Sequence, residues 1–302
     1  MLFALSSSSS VGDRGDLEAP RWLRVAVRLS RWSLDGAPSV SAEFGYLLSL
    51  VNDESERAAV LRFVKVDDQK RALVSRLLAQ AACAGRSGIP YEKVRIRRTK
   101  GRKPFCPDLG NFNFNISHEN DYVVLAAESA CLVGVDVCGA TVTDYGCFRS
   151  SFADREWACM SSSPAKKNFR KFWSCKESFV KARGDGLGYG DLGRLDFSGA
   201  RLRIDGQDQG DWQFDVEDLD DGCVVAVCRG PVESIVDAYG DFRRTMTKST
   251  DYGEIFAQRP TFRILHVDDL LPPDKRDILR KIRRRSSRDP SGGDDDDDDD
   301  DD

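Results

Sequence analysis

Asp136 stands in the apolar run Val133-Gly134-Val135-Asp136-Val137, where a carboxylate is costly unless it is paired or bound to a metal. Glu177 follows 41 positions later, within Phe172-Trp173-Ser174-Cys175-Lys176-Glu177-Ser178-Phe179-Val180-Lys181. Lys181 lies one helical turn beyond Glu177, so the two project to the same side. Hard carboxylates suit Mg²⁺, which takes one or two of them together with substrate phosphates. Ahead of both acids comes the cationic stretch Arg97-Arg98-Thr99-Lys100-Gly101-Arg102-Lys103-Pro104. Arginine offers forked contacts to phosphate and lysine a point charge. Next is Asn113-Phe114-Asn115-Ile116-Ser117-His118, whose histidine adjoins polar neighbours at a strand end and so points to a ligand. Cations, a histidine and two acids in this order fit a phosphorylated small molecule. Spacing alone also admits a plainer arrangement, in which Asp136 ends a strand and Glu177 and Lys181 form a surface pair.

Several classes fall away. No aromatic residues interleave the Arg97–Lys103 charges as a base-stacking platform would, which argues against nucleic acid. The sequence Gly188-Tyr189-Gly190-Asp191-Leu192-Gly193 has glycine spacing like that of a dinucleotide fingerprint. It follows a helix and precedes a strand, the reverse of the required order, and reads as a helix-terminating loop. No Gly-x-Ser-x-Gly elbow supports a serine hydrolase. Nine cysteines form no Cys-x-x-Cys pair and there are two histidines, so zinc has no ligand cluster. Scattered in apolar stretches, these cysteines read as free, mostly buried thiols of a reducing compartment, with cytosol expected first and a mitochondrion or plastid second. No apolar run approaches a membrane span. The chain of 302 residues carries a net charge of −5, but Asp294 to Asp302 supply nine aspartates, and without them the balance is +4.

These residues need elements to hold them. Trp22 to Leu29 reads as a strand, and Asp67 to Gly85 as a helix capped by Asp67 or Asp68, with Leu73, Leu77, Leu78 and Ala81 on one face. Asn111–Ser117, Tyr122–Ala127 and Cys131–Val137 read as strands. A short helix is expected near Asp154 and a stronger one from Lys167 to Arg183. Leu195–Phe197, Arg201–Ile204, Trp212–Val216 and Cys223–Cys228 then suggest an antiparallel meander. Together these give an α+β fold. The expected divisions are a disordered 1–19, a first half at 20–128, a second at 129–238, and an extension at 239–302 with a basic helix near Pro272–Arg288 and the aspartate tail.

The ordered set of a basic Gly-x-Lys-Pro loop, Asn-x-Ser-His, Val-Gly-Val-Asp and Trp-x-x-Lys-Glu-Ser-x-x-Lys resembles the 4′-phosphopantetheinyl transferases of the large Sfp type, closest to their eukaryotic aminoadipate-semialdehyde dehydrogenase branch. The resemblance covers roughly residues 20–235. It implies two similar α+β halves related by a pseudo-twofold, the helices at 67–84 and 168–183 being counterparts, with coenzyme A bound between the halves. Asp136 and Glu177 would be the Mg²⁺ ligands at the coenzyme A pyrophosphate. Arg98, Thr99, Lys100, Gly101, Arg102 and Lys103 would hold the adenine and 3′-phosphate end. Asn115, Ile116, Ser117 and His118 would line the nucleotide, and Lys176 and Lys181 would reach the phosphates. Arg57 and Arg62 compete for a further contact to the 3′-phosphate. Glu177, Lys181 and His118 would be catalytic, with Glu177 as base. Many relatives have a third acid where this chain has Cys138, a poor Mg²⁺ ligand, which implies a two-carboxylate site with water in the third place. The implied partners are apo acyl-carrier proteins or domains, whether of fatty-acid synthase, aminoadipate reductase or an organelle, and the implied state is a monomer.

Overall fold

The computed structural model describes residues 22–140, 144–161, 165–199, 201–219, 222–246 and 252–287. The expected disordered start and the aspartate tail lie outside these residues.

β1 (Trp22–Arg28) leads into α1 (Ala42–Ser49) and α2 (Glu54–Leu61), and then into the long α3 (Val66–Ser87). α3 starts from Lys65 without a side-chain cap; Asp67 and Asp68 fall in its first turn, where they complement the helix dipole rather than cap it. β2 (Arg97–Arg98) and β3 (Pro104–Phe105) form a short hairpin, followed by β4 (Asn113–Glu119) and β5 (Tyr122–Glu128). β5 pairs antiparallel with both β1 and β4.

The second half opens with β6 (Leu132–Cys138), α4 (Asp154–Ser161) and α5 (Ala165–Arg183). The expected meander divides in two. β7 (Leu195–Asp196), β8 (Arg203–Ile204) and β9 (Gln207–Asp208) make a small separate sheet. β10 (Gln213–Asp218) and β11 (Val224–Gly230) instead join β6 in the order β10-β11-β6. α6 (Gly253–Ala257), β12 (Arg263–Leu265) and α7 (Pro273–Ser286) finish the described chain.

Alternation along the strands explains how the halves meet. Val123, Leu125 and Ala127 of β5 face the core beneath α3, with Val25 and Val27 of β1. Tyr122, Val124 and Ala126 face the other way, against Val133, Val135 and Val137 of β6 and Val225 and Val227 of β11. A strand buried on both faces is apolar at every position, and β5 is (Tyr-Val-Val-Leu-Ala-Ala, every residue buried).

The edge of β6 nearest β4 is satisfied by side chains. Asn113 Oδ1 accepts from Val133 N at 3.0 Å, Asn115 Oδ1 from Val135 N at 2.9 Å, and Ser117 Oγ from Val137 N at 3.4 Å. Polar residues at every second position of β4 thus supply the partners that buried backbone N–H groups require. On the other face of β6, Gly134 lets α5 come close: a Cβ there would lie 2.0 Å from the Ser178 carbonyl oxygen.

The expected extension is not an appendage. β12 pairs parallel with β1, giving the order β12-β1-β5-β4. α7 packs on α1 through buried Leu279, and Arg283 reaches both Glu43 (2.7 Å) and Asp268 (2.8 Å). The buried Arg229 of β11 donates to the Ile255 and Gln258 carbonyls, holding the strand's return path. The first half therefore includes residues up to 286.

Candidate active site

A cavity of about 830 Å³ opens between the halves. Its first-half wall carries Glu56, Arg76, Arg95, Arg97, Arg98, Arg102, Lys103, Asn115, Ile116 and His118, and its second-half wall Glu177, Lys181 and the Gly184–Gly190 turn.

The β2–β3 hairpin is a tight loop. Thr99 N donates to the Lys103 carbonyl at 2.9 Å, Arg102 N to the Thr99 carbonyl at 2.9 Å, and Arg102 takes φ +68°. Gly101 lies against the C-terminal end of α5, where a Cβ would sit 1.8 Å from the Gly184 carbonyl oxygen. Any larger residue must push the loop away. Gly101→Ala is expected to weaken coenzyme A binding about tenfold, roughly 1.4 kcal/mol, in a calorimetric titration.

Lys103 closes the same junction from beneath. It is 3% exposed, and its Nζ donates to the Val133 carbonyl (2.7 Å) and the Lys181 carbonyl (3.3 Å). Burial pushes its ammonium down to about 7. An unfolded lysine holds its proton to about pH 10, so between pH 7 and 10 the unfolded chain binds more protons than the folded one. Stability contributed by this site therefore rises with pH across that window. The urea midpoint should increase from pH 7 to 9.5 by the equivalent of roughly 3 kcal/mol, and Lys103→Met should abolish that increase.

The acids meet where β6 runs under α5. Lys181 Nζ lies 2.5 Å from Asp136 Oδ1 and donates to Ser117 Oγ at 3.0 Å, while Ser117 donates to Asp136 at 2.9 Å. Asp136 is buried, and Glu177 stands half-buried beside it. Burial pushes the Glu177 carboxyl above the ordinary range, and the Asp136 charge adds to that, against the pull of Lys181. His118 faces the cleft, yet the surrounding protein and the Lys181, Arg71 and Arg76 charges hold its imidazole below its usual value. It is neutral near pH 7 and has one N–H to donate.

Not every expected residue reaches the cavity. Lys176 turns the other way, fully buried against Glu156 at 2.7 Å, and donates to the Leu192 and Leu195 carbonyls. It cannot reach phosphates from there. Thr99 is buried in the hairpin, its Oγ1 accepting from Lys103 N, and Lys100 projects at the tip into solvent; neither lines the cavity. Ser117 acts behind the wall, through Asp136 and Lys181. Arg57 is drawn to the Val51 carbonyl, Arg62 is exposed, and neither lines the cavity.

Sequence reasoning missed Arg76 and Glu56. Arg76 Nε pairs with Glu56 at 2.9 Å, and Arg98 approaches the same carboxylate at 3.3 Å. The available signal was a cation inside the buried run Ala72–Cys83 of α3, where a charge needs a partner. The Gly184–Gly190 turn was expected only to end the helix; it also forms cavity wall, with Leu187 and Tyr189.

Two halves enclosing a cationic hairpin opposite paired carboxylates define a site for a polyanionic, phosphate-bearing substrate. Sequence comparison agrees with that class. Residues 37–130 match the family described as 4′-phosphopantetheinyl transferase, N-terminal, and residues 132–228 match the 4′-phosphopantetheinyl transferase superfamily. The chain is similar to the human L-aminoadipate-semialdehyde dehydrogenase-phosphopantetheinyl transferase, 32% identical over 229 residues that cover 65% of this chain and 73% of the relative. The rat protein of that name is 31% identical with the same coverage. A phosphopantetheinyl transferase of Thraustochytrium is 33% identical over 226 residues, 67% of this chain and 76% of the relative. The chain belongs to the 4′-phosphopantetheinyl transferase superfamily.

Proposed function

We propose that this protein moves the 4′-phosphopantetheine group of coenzyme A onto a serine of an apo acyl-carrier protein or domain. The observation that carries this is the cleft itself, with the cationic β2–β3 hairpin at one end and Asp136, Glu177 and Lys181 at the other. Coenzyme A would lie with its nucleotide phosphates on the hairpin arginines and its pyrophosphate near the acids. The serine Oγ attacks the β-phosphorus. The bond from that phosphorus to the bridging oxygen breaks, and adenosine 3′,5′-bisphosphate leaves with that oxygen. Glu177 takes the serine proton; its raised affinity for a proton suits that task. Lys181 and the His118 N–H face the phosphate oxygens on which charge builds. Positioning and charge neutralisation carry most of such a transfer.

Mg²⁺ fits this site. Asp136 and Glu177 supply two hard oxygens close enough for their charges to oppose each other, a repulsion that a divalent cation relieves. The Cys138 thiol is buried, held protonated by burial, and unsuited to magnesium. When bound, the ion would neutralise pyrophosphate charge. Aminoadipate reductase, named through the animal relatives, is the first carrier to try, followed by fatty-acid synthase carriers. The expected setting is cytosolic.

Incubation with coenzyme A, Mg²⁺ and an apo carrier should add about 340 Da to one carrier serine, the mass of the transferred group. No adduct on several unrelated carriers would remove this function and leave a binding module.

A further inference from the structure

α5 violates a local rule. Its first two turns carry Lys166, Lys167, Arg170 and Lys171 with no acid in the first turn. Cations there oppose the helix dipole, each at a cost of roughly 0.3–1 kcal/mol. Residues that break a local preference mark places where something else is gained.

The helical period shows what these charges lead to. Lys166, Arg170, Trp173, Glu177 and Lys181 follow spacings of 4, 3, 4 and 4, so they form one continuous stripe. Lys166 is exposed, while Arg170, Trp173 and Glu177 are half-exposed along it. Arg170 stands close enough to Cys138, two residues past Asp136, for its charge to act on that thiol. Trp173 is held rigid, stacked on Phe169 at 6.0 Å and met edge-on by Phe148 at 5.1 Å. A fixed aromatic flanked by cations is the composition of an interface centre, where Trp and Arg dominate binding energy. The stripe runs about 16 Å from Lys166 to Glu177 at 1.5 Å per residue.

We infer that this stripe of α5 is the docking surface for the carrier, and that it selects an acidic helix on the carrier domain flanking the acceptor serine. Charge complementarity and continuity with Glu177 both support this occupant: a partner laid along Lys166, Arg170 and Trp173 delivers its hydroxyl to the carboxylate at the stripe's end. The proposal rests on the transferase reading above.

The test uses the full chain, coenzyme A, Mg²⁺ and a discrete acidic apo acyl-carrier protein as probe. Lys166→Glu with Arg170→Glu should raise the KM for carrier about tenfold, leave the KM for coenzyme A and kcat within twofold, and flatten the salt dependence of carrier KM. Reversing an acidic residue beside the carrier serine to lysine should restore part of the loss in the doubly substituted enzyme. An unchanged carrier KM, or an equal rise in the KM for coenzyme A, overturns the proposal while leaving the function standing. Loss of a self-associated form on substitution would assign the stripe to a second copy and also overturn it. Absence of transfer by the unaltered protein overturns the function itself.

Discussion

Glu177→Gln is expected to lower kcat about a thousandfold while coenzyme A still binds. Removal of a positioned acid–base group costs typically 10²–10⁴ in rate, and Gln is isosteric but cannot take the serine proton. The fold should survive, because Glu177 is half-exposed on the cleft face of α5 and Asp136 retains its 2.5 Å pair with Lys181 and its bond from Ser117. Single-turnover transfer to carrier, beside calorimetric titration of coenzyme A, separates the effects. A rate within tenfold of normal would remove Glu177 as the base. A large loss of affinity with an unchanged single-turnover rate would make it a binding group only.

Lys176→Met, one residue away, should behave in the opposite manner. Lys176 and Glu156 are both fully buried, and burial disfavours the charge on each: it lowers the lysine's proton affinity and raises the glutamate's. Their 2.7 Å contact, with the amide hydrogens of Ala153 (3.0 Å) and Phe197 (2.9 Å) on the carboxylate, compensates that cost. Removing only the cation strands a buried carboxylate, a change worth about 3–5 kcal/mol. The melting temperature should fall by about 10 °C. Lys176→Met with Glu156→Gln should recover most of it, since the amide still accepts from both backbone donors. A phosphate-binding lysine would show the reverse pattern, with unchanged melting and weakened coenzyme A binding.

Lys176 also shows why some of the site was hidden. A lysine beside a glutamate on a helix resembles a solvated face, and its true partner sits on a different helix, Glu156 of α4. Asp136 was easier to find, because a carboxylate among valines is conspicuous at the level of a single strand. β4 to β6 and the two long helices were legible through their periods of 2 and 3.6. β12 was not, since three residues pairing in parallel with β1 more than 230 positions earlier leave no local pattern. The Asn-x-Asn-x-Ser alternation of β4 was visible as polarity at a strand. Its roles as hydrogen-bond acceptor for the β6 edge and support behind Lys181 depend on which strand lies alongside.

The parallel pairing of β12 with β1 has a further consequence for biosynthesis. A ribosome delivers β1 early, at ~5–20 residues per second, yet its outer edge waits for Arg263–Leu265. During that interval one row of backbone donors and acceptors stays open, a known template for wrong association. The intervening second half must emerge before the sheet can close, so completion of the nucleotide wall is tied to arrival of the far end of the chain. Release of a nascent polypeptide stalled before residue 263 should therefore yield a species prone to aggregate, even though its cationic hairpin and both carboxylates have already been translated.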